Sequence, residues 1–137
     1  MTIKEVSEKY GISSDTLRYY ERVGMIPPVE RTEGGIRNYG EDDIKWVELV
    51  LCMRSAGLPI EAIIEYVRLS RLGDSTFKAR LELLSEQREA LISQKEKIDE
   101  MLSRLNYKIS KYEEAVKTGK ISWDEKPCEC LREEQKQ

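Results

Sequence analysis

The chain has 137 residues, 36% of them charged, a net charge of −3 and no histidine. The absence of histidine excludes Ser-His-Asp and Cys-His catalysis and removes the commonest metal ligand. Without a paired-carboxylate signature or a phosphate loop, the sequence predicts neither an enzyme nor a cofactor. No apolar run approaches the ~20 residues that cross a bilayer, and the N-terminus is polar, so we expect a cytoplasmic protein with no membrane partner.

Two short helices are predicted at the N-terminus. Thr2, followed three residues later by Glu5, fits a capping box for the first helix. Ser13 or Ser14 can cap the second helix, and Gly24 ends it. Two short helices joined by a tight turn that contains glycine are typical of a helix-turn-helix.

A β-hairpin is predicted directly after this pair. Two short β-prone runs, Val29–Thr32 and Ile36–Tyr39, flank a pair of glycines. A hairpin in this place is a wing, so the sequence predicts a winged helix-turn-helix.

The second helix is predicted to enter the major groove of DNA. Arginine reads guanine edges or clamps phosphates, and serine and threonine suit phosphates. Arginines of the wing reach the flanking backbone, and a glycine lets the loop approach closely. The candidates are Ser14, Thr16, Arg18, Tyr19, Arg31, Gly35 and Arg37. The plainer alternative is a small helical core with arginines on its surface.

Two more helices follow the wing. The third begins near Asp42 and Asp43, where a helix N-terminus favours negative charge, and Pro59 opens the fourth. The third helix contains Cys52. A thiol in an apolar helix is usually an inert core residue, and periodicity alone favours that interpretation.

A heptad pattern begins after Ser75 and contains neither glycine nor proline. A helix of this length, roughly 60 Å, is not stable alone and needs a partner strand. Arg88 and Lys95 would fix the register of that pairing. We call these positions the seam: Phe77, Leu81, Leu84, Arg88, Leu91, Lys95, Ile98, Leu102, Leu105, Ile109, Tyr112 and Val116.

The sequence therefore predicts a mainly α protein in three parts. These are a winged-helix DNA-binding domain at 1–72, a dimerisation helix at 75–117 and a flexible tail at 118–137. A homodimer paired along the seam would match two half-sites of a pseudo-palindromic operator. The alternative is a coiled-coil adaptor whose N-terminal domain binds protein instead of DNA.

Residues 1–72 resemble the MerR-type transcriptional regulators nearly without gaps. The resemblance rests on TIKEVSEKYGISSDTLRYYERVGMI, RTEGGIRNYGEDDI and GLPIEAI. It implies a winged-helix domain, an antiparallel coiled coil and a C-terminal effector region. It also implies that the dimer sits on an overlong promoter spacer and distorts it, so that RNA polymerase can use both promoter elements. The implied DNA contacts are Arg18, Tyr19, Arg31, Gly35, Arg37 and Tyr39.

Branches of this family differ in the signal that they sense. DDIKWVELVLCMRSAGLPIEAIIEY resembles the branch that senses aldehydes and other electrophiles through one cysteine, here Cys52. The resemblance to the metal-sensing branch is limited to Cys128 and Cys130. These two cysteines are weak candidates for metal ligands, because a stable site needs more ligands or better-placed ones. The drug-binding branch carries an added domain, for which the roughly twenty residues after Val116 are too few.

Overall fold

The computed structural model describes residues 1–123, and residues 124–137, with Cys128 and Cys130, lie outside the described part. Five α-helices follow one another: α1 (Ile3–Tyr10), α2 (Ser14–Val23), α3 (Glu41–Ser55), α4 (Ile60–Arg71) and α5 (Phe77–Thr118). A short 3-10 helix, Asp74–Thr76, precedes α5. No strand occurs in residues 1–123, so the prediction of a mainly α protein is confirmed.

The caps of the first two helices explain why both begin where they do. The Thr2 hydroxyl accepts from the Glu5 backbone N–H at 3.1 Å, and the Glu5 carboxylate accepts from the Thr2 N–H at 3.3 Å. The predicted capping box is therefore present. Of the two candidate caps for α2, Ser13 is the one used, because its hydroxyl accepts from the Thr16 N–H at 3.0 Å. Ser14 is the first helical residue.

The wing is a loop with a single antiparallel bridge, between Arg31 and Arg37, where the sequence predicted a hairpin with two strands. Within the bridge the Thr32 N–H donates to the Ile36 carbonyl at 2.8 Å, and the Gly35 N–H donates to the Thr32 carbonyl at 2.9 Å. Gly35 has φ 80°, a left-handed conformation that favours glycine.

The pairing ends after Glu30 and Asn38, where the Asn38 N–H donates to the Glu30 carbonyl at 2.7 Å. Beyond them Pro28 has no N–H, and the Gly40 N–H donates to Asp43 Oδ2 at 2.9 Å instead.

Val29 is 5% exposed and Tyr39 is 1% exposed. Both side chains belong to the core, so one residue anchors each end of the wing there. The two runs do not alternate between buried and exposed side chains, since Val29 and Tyr39 are their only buried residues.

Contacts divide the chain into two compact units, the first Met1–Glu89 and the second starting at Ala90. The first unit has one apolar core, to which α1 to α4 and the wing all contribute. Its twelve buried members are Val6, Leu17, Tyr20, Met25, Ile26, Val29, Tyr39, Val47, Val50, Met53, Ile63 and Val67. The core holds α2 and the wing against α3, and so positions the surface that the sequence assigned to DNA.

Hydrogen bonds from Thr76 and Arg80 stabilise the chain just before α5. Gly73 has φ 97°, and its carbonyl accepts from the Thr76 hydroxyl at 2.8 Å and from Arg80 Nη2 at 2.7 Å. Arg80 Nε also donates to the Thr76 hydroxyl at 2.8 Å. These bonds satisfy the Gly73 carbonyl and the Thr76 hydroxyl at the turn. Helix α5 begins at Phe77, two residues after the predicted start.

Helix α5 has no buried side chain in the chain taken alone. Every apolar member of the seam is exposed, from 38% at Leu84 to 86% at Val116. None of the described helices is both long and apolar enough to cross a membrane.

Candidate nucleic-acid interface

Helix α2 presents a cationic outer face and an apolar inner one. Leu17 is completely buried, whereas Arg18 is exposed and its Nη1 lies 2.9 Å from Asp15 Oδ1. The Arg22 guanidinium lies 5.3 Å from the centre of the Tyr19 ring. Arg18 and Tyr19, both predicted to contact DNA, thus lie on the side of α2 that faces away from the core.

Ser14 and Thr16 lie in the first turn of α2, and both are half-buried. The Thr16 hydroxyl is 2.7 Å from the Ser13 hydroxyl, so it takes part in the cap. Backbone N–H groups at a helix N-terminus favour anions, which suits the predicted phosphate contact in this turn.

The two arginines of the wing have different surroundings. Arg31 is exposed, and its Nη1 donates to the Gly35 carbonyl at 2.8 Å, across the tip of the loop. Arg37 is 22% exposed, and its Nε donates to Glu21 Oε1 at 2.6 Å. Both side chains are therefore held by the protein before any DNA is bound.

Glu21 was not among the predicted site residues, yet it links α2 to both ends of the wing. Its side chain is 12% exposed, and its Oε2 accepts from the Val29 N–H at 2.8 Å while Oε1 accepts from Arg37. Burial acts to raise the pKa of Glu21, but the bonds from Arg37 and Val29 and the charge of Arg31 together hold that pKa below its ordinary value. The one sequence signal was a carboxylate on the inner half of an amphipathic helix.

Tyr39 lies in the core, although the resemblance implied a DNA contact for it. Its ring is 1% exposed, and among residues 1–123 no hydrogen-bond partner is found for its buried hydroxyl. Burial raises the pKa of this hydroxyl. In the chain as described, Tyr39 supports the wing from beneath and does not reach its outer surface.

Cys52 lies on α3 and is exposed, so the interpretation as a buried core filler is wrong for the described chain. The buried residues of α3 are Val47, Val50 and Met53, on its other side. One turn before Cys52, the Glu48 carboxylate accepts from the Tyr10 hydroxyl at 2.7 Å.

The Tyr10–Glu48 bond joins α1 to α3 across 38 positions of the chain, and no local pattern of residues indicates it. The bond raises the pKa of Tyr10. No cluster of three metal-ligating side chains occurs in residues 1–123, and the candidates Cys128 and Cys130 lie outside that range.

Comparison with known proteins places this geometry in a family. The model of the MerR HTH family of regulatory proteins matches residues 1–69. The HTH-type transcriptional regulator AdhR of Bacillus subtilis is 54% identical over 92 residues, which are 67% of this chain and 66% of AdhR. The chain thus spans slightly less than two thirds of AdhR.

Two solved structures share the fold and the long helix. A crystal structure assigned to the MerR family, from Listeria monocytogenes, is 49% identical, with a TM-score of 0.72, and the match covers 82% of this chain and 86% of that one. HiNmlR, described as a MerR family regulator lacking the sensor domain and bound to promoter DNA, is 32% identical, with a TM-score of 0.65. That match covers 86% of this chain and 94% of HiNmlR.

The predicted resemblance, the fold class and the absence of an enzyme function are confirmed by these matches, since the matched proteins are regulators. A helix-turn-helix domain followed by a long C-terminal helix is the arrangement that the two solved structures share with this chain. The chain therefore belongs to the MerR family of DNA-binding helix-turn-helix transcriptional regulators.

Proposed function

We propose that this regulator binds promoter DNA as a homodimer and activates transcription when Cys52 reacts with an aldehyde, another electrophile or an oxidant. The observation that carries the proposal is the exposed thiol of Cys52 on α3. Helix α3 also supplies Val47, Val50 and Met53 to the core that holds α2 and the wing. The exposed thiol and the proposed DNA-binding surface thus belong to one packed unit.

The DNA contacts that we propose lie on the outer face of α2 and on the wing. The side chains that the duplex can reach are those of Arg18, Tyr19 and Arg31. Arg37 offers the edge of its guanidinium that is not bonded to Glu21. Ser14, Thr16 and Gly35 complete the set, while Tyr39 acts from beneath. HiNmlR, which has the same fold, is bound to promoter DNA in its crystal structure.

The seam supports the proposal of a dimer. Ten of its twelve members are apolar and exposed in the single chain, and a helix that buries nothing within its own chain gains stability by pairing. We propose an antiparallel pairing with a second copy, which places two DNA-binding domains on a pseudo-palindromic operator. The predicted limits 1–72, 75–117 and 118–137 remain the proposed domain division.

The signal begins with addition of the thiol to the aldehyde. The sulfur forms a bond to the carbonyl carbon, and the carbonyl oxygen takes up the proton that the thiol gives up. The adduct is larger and more polar than a thiol, and it favours one of two arrangements of α3 and the DNA-binding elements. Bending and untwisting DNA costs several kcal/mol, which the backbone contacts of that arrangement must offset so that RNA polymerase can use the promoter.

The test compares a variant that lacks Cys52 with a control variant that lacks the other two cysteines. Cys52→Ala keeps DNA binding but loses the transcriptional response to formaldehyde, measured with purified polymerase on the protein's own promoter. The control variant, with both Cys128 and Cys130 replaced by alanine, keeps the response. Mass spectrometry of the treated protein shows the adduct on Cys52. A Cys52→Ala variant that still responds would refute the assignment of the sensor.

The DNA-binding step separates this proposal from that of a protein-binding adaptor. Affinity for duplex DNA falls steeply with salt when lysines and arginines neutralise phosphates. An adaptor would show no such loss. Because the target is promoter DNA, we place the protein in the cytoplasm.

A further inference from the structure

Within the described part of the chain, the guanidinium of Arg37, in the wing, is bonded to the protein on one edge only. Its Nε donates to Glu21 Oε1 at 2.6 Å, while no partner is found for Nη1 and Nη2 among residues 1–123. Arginine has five N–H donors in a rigid fork, so one edge can bind a carboxylate while the other binds a second anion. The 22% exposure of the side chain leaves part of the fork open to solvent.

Glu21 is fixed in turn by the wing on its other side. Its second oxygen accepts from the Val29 N–H at 2.8 Å, and its side chain is 12% exposed. One carboxylate therefore ties the last turn of α2 to the start of the wing through Val29 and to its end through Arg37. A group bonded on both oxygens has little freedom to rotate, so it holds the Arg37 fork in one orientation.

We propose that Glu21 is a positioning residue for DNA binding, which orients Arg37 so that Nη1 and Nη2 donate to a backbone phosphate. The inference deepens the DNA contact proposed for Arg37 and rests on it. A free arginine loses side-chain entropy when it binds a phosphate, whereas one that is already held loses less. Glu21 thus contributes to affinity although it touches no DNA.

Electrostatic repulsion alone predicts the opposite effect of Glu21 on DNA affinity. A carboxylate near the DNA-binding surface repels phosphates, so its removal should strengthen binding. Positioning requires that removal weaken binding instead. Glu33 is a matched control, because it is an exposed carboxylate in the turn of the wing, and among residues 1–123 the carboxylate paired with Arg37 is that of Glu21.

The experiment measures affinity for a random-sequence DNA duplex over a range of salt concentrations, with the full chain. Arg37→Ala is expected to weaken binding about tenfold and to reduce the salt slope by about 1, as for the loss of one phosphate contact. Glu21→Gln is expected to weaken binding about fivefold, in keeping with the loss of a charged hydrogen bond. Glu33→Gln is expected to bind slightly more tightly than the wild type.

The double variant tests whether Glu21 acts through Arg37. If it does, Glu21→Gln adds no loss of affinity in the Arg37→Ala background. The inference is overturned if the losses of affinity of the two single variants multiply in the double variant. It is also overturned if Glu21→Gln alone binds DNA more tightly, as Glu33→Gln is expected to do. An unchanged affinity of Arg37→Ala overturns the proposed contact itself, so the two failures are distinct.

Arg37→Lys provides a second test that leaves Glu21 intact. Lysine keeps the charge but has a single ammonium, which cannot bond Glu21 and a phosphate in the arginine geometry. Its affinity is expected to fall most of the way to that of Arg37→Ala. Binding equal to the wild type would show that the fork is not needed and would overturn the inference.

Discussion

The first unit and residues 90–118 of α5 are both helical, yet they use apolar side chains in opposite ways. In the first unit Leu17 and Ile63 are 0% exposed and belong to one core. Along residues 90–118, Leu91 and Leu102 are each 51% exposed, and no residue of α5 is buried. The same residue types form a core in one region and a surface in the other.

The difference indicates where the stability of each region comes from. The first unit buries its apolar side chains within one chain, so its stability does not depend on concentration. In the proposed dimer the long helix, which buries nothing within its own chain, would draw its stability from the partner copy, and that stability would rise with protein concentration. Three substitutions examine this contrast, in order of decreasing effect.

Leu17→Ala should cause the largest loss of stability, about 3 to 4 kcal/mol of unfolding free energy, because it leaves a cavity in a closed core. Leu72→Ala is the matched control, since Leu72 is 61% exposed in the same unit. The control should cost less than about 0.5 kcal/mol. Urea unfolding measures both variants, and equal losses would contradict the assignment of the core.

Leu102→Asp should break the proposed dimer while the first unit stays folded. A carboxylate placed in an apolar seam without a partner raises the dimer dissociation constant by about 100-fold or more. Ser103→Asp adds the same charge to the next residue, off the seam, and should leave the dimer intact. Analytical ultracentrifugation distinguishes the two. A dimer that tolerates Leu102→Asp would place the interface elsewhere.

Acid should weaken the first unit through Glu21. Its pKa is lowered in the folded chain, so its contribution to stability is present above the ordinary value of 4.5 and is lost as the pH falls from there through the folded pKa. Glu21→Gln should therefore lose less stability than the wild type below pH 4.5. Thermal unfolding at a series of pH values measures the difference, and parallel curves would show that Glu21 contributes no acid sensitivity.

Local chemistry made much of the fold predictable from the sequence. The capping box of Thr2 and Glu5, the Ser13 cap and the glycine after α2 all act between residues within a few positions of one another. The seam can also be predicted from the sequence, because the spacing of its residues depends only on helix geometry. These signals determined the number of helices, their approximate ends and the apolar face of α5 that is exposed in the single chain.

Only the tertiary structure decided how the site is built. Arg37 and Glu21 are 16 positions apart, and Tyr10 and Glu48 are 38 apart, so no local pattern pairs them. The packing of the core also buries Tyr39 and leaves Cys52 exposed on α3, and the predicted hairpin has a single bridge. The sequence named the residues that bear charge and thiol chemistry. Which of them reach solvent depends on how the core closes, because burial is a property of the packed helices together.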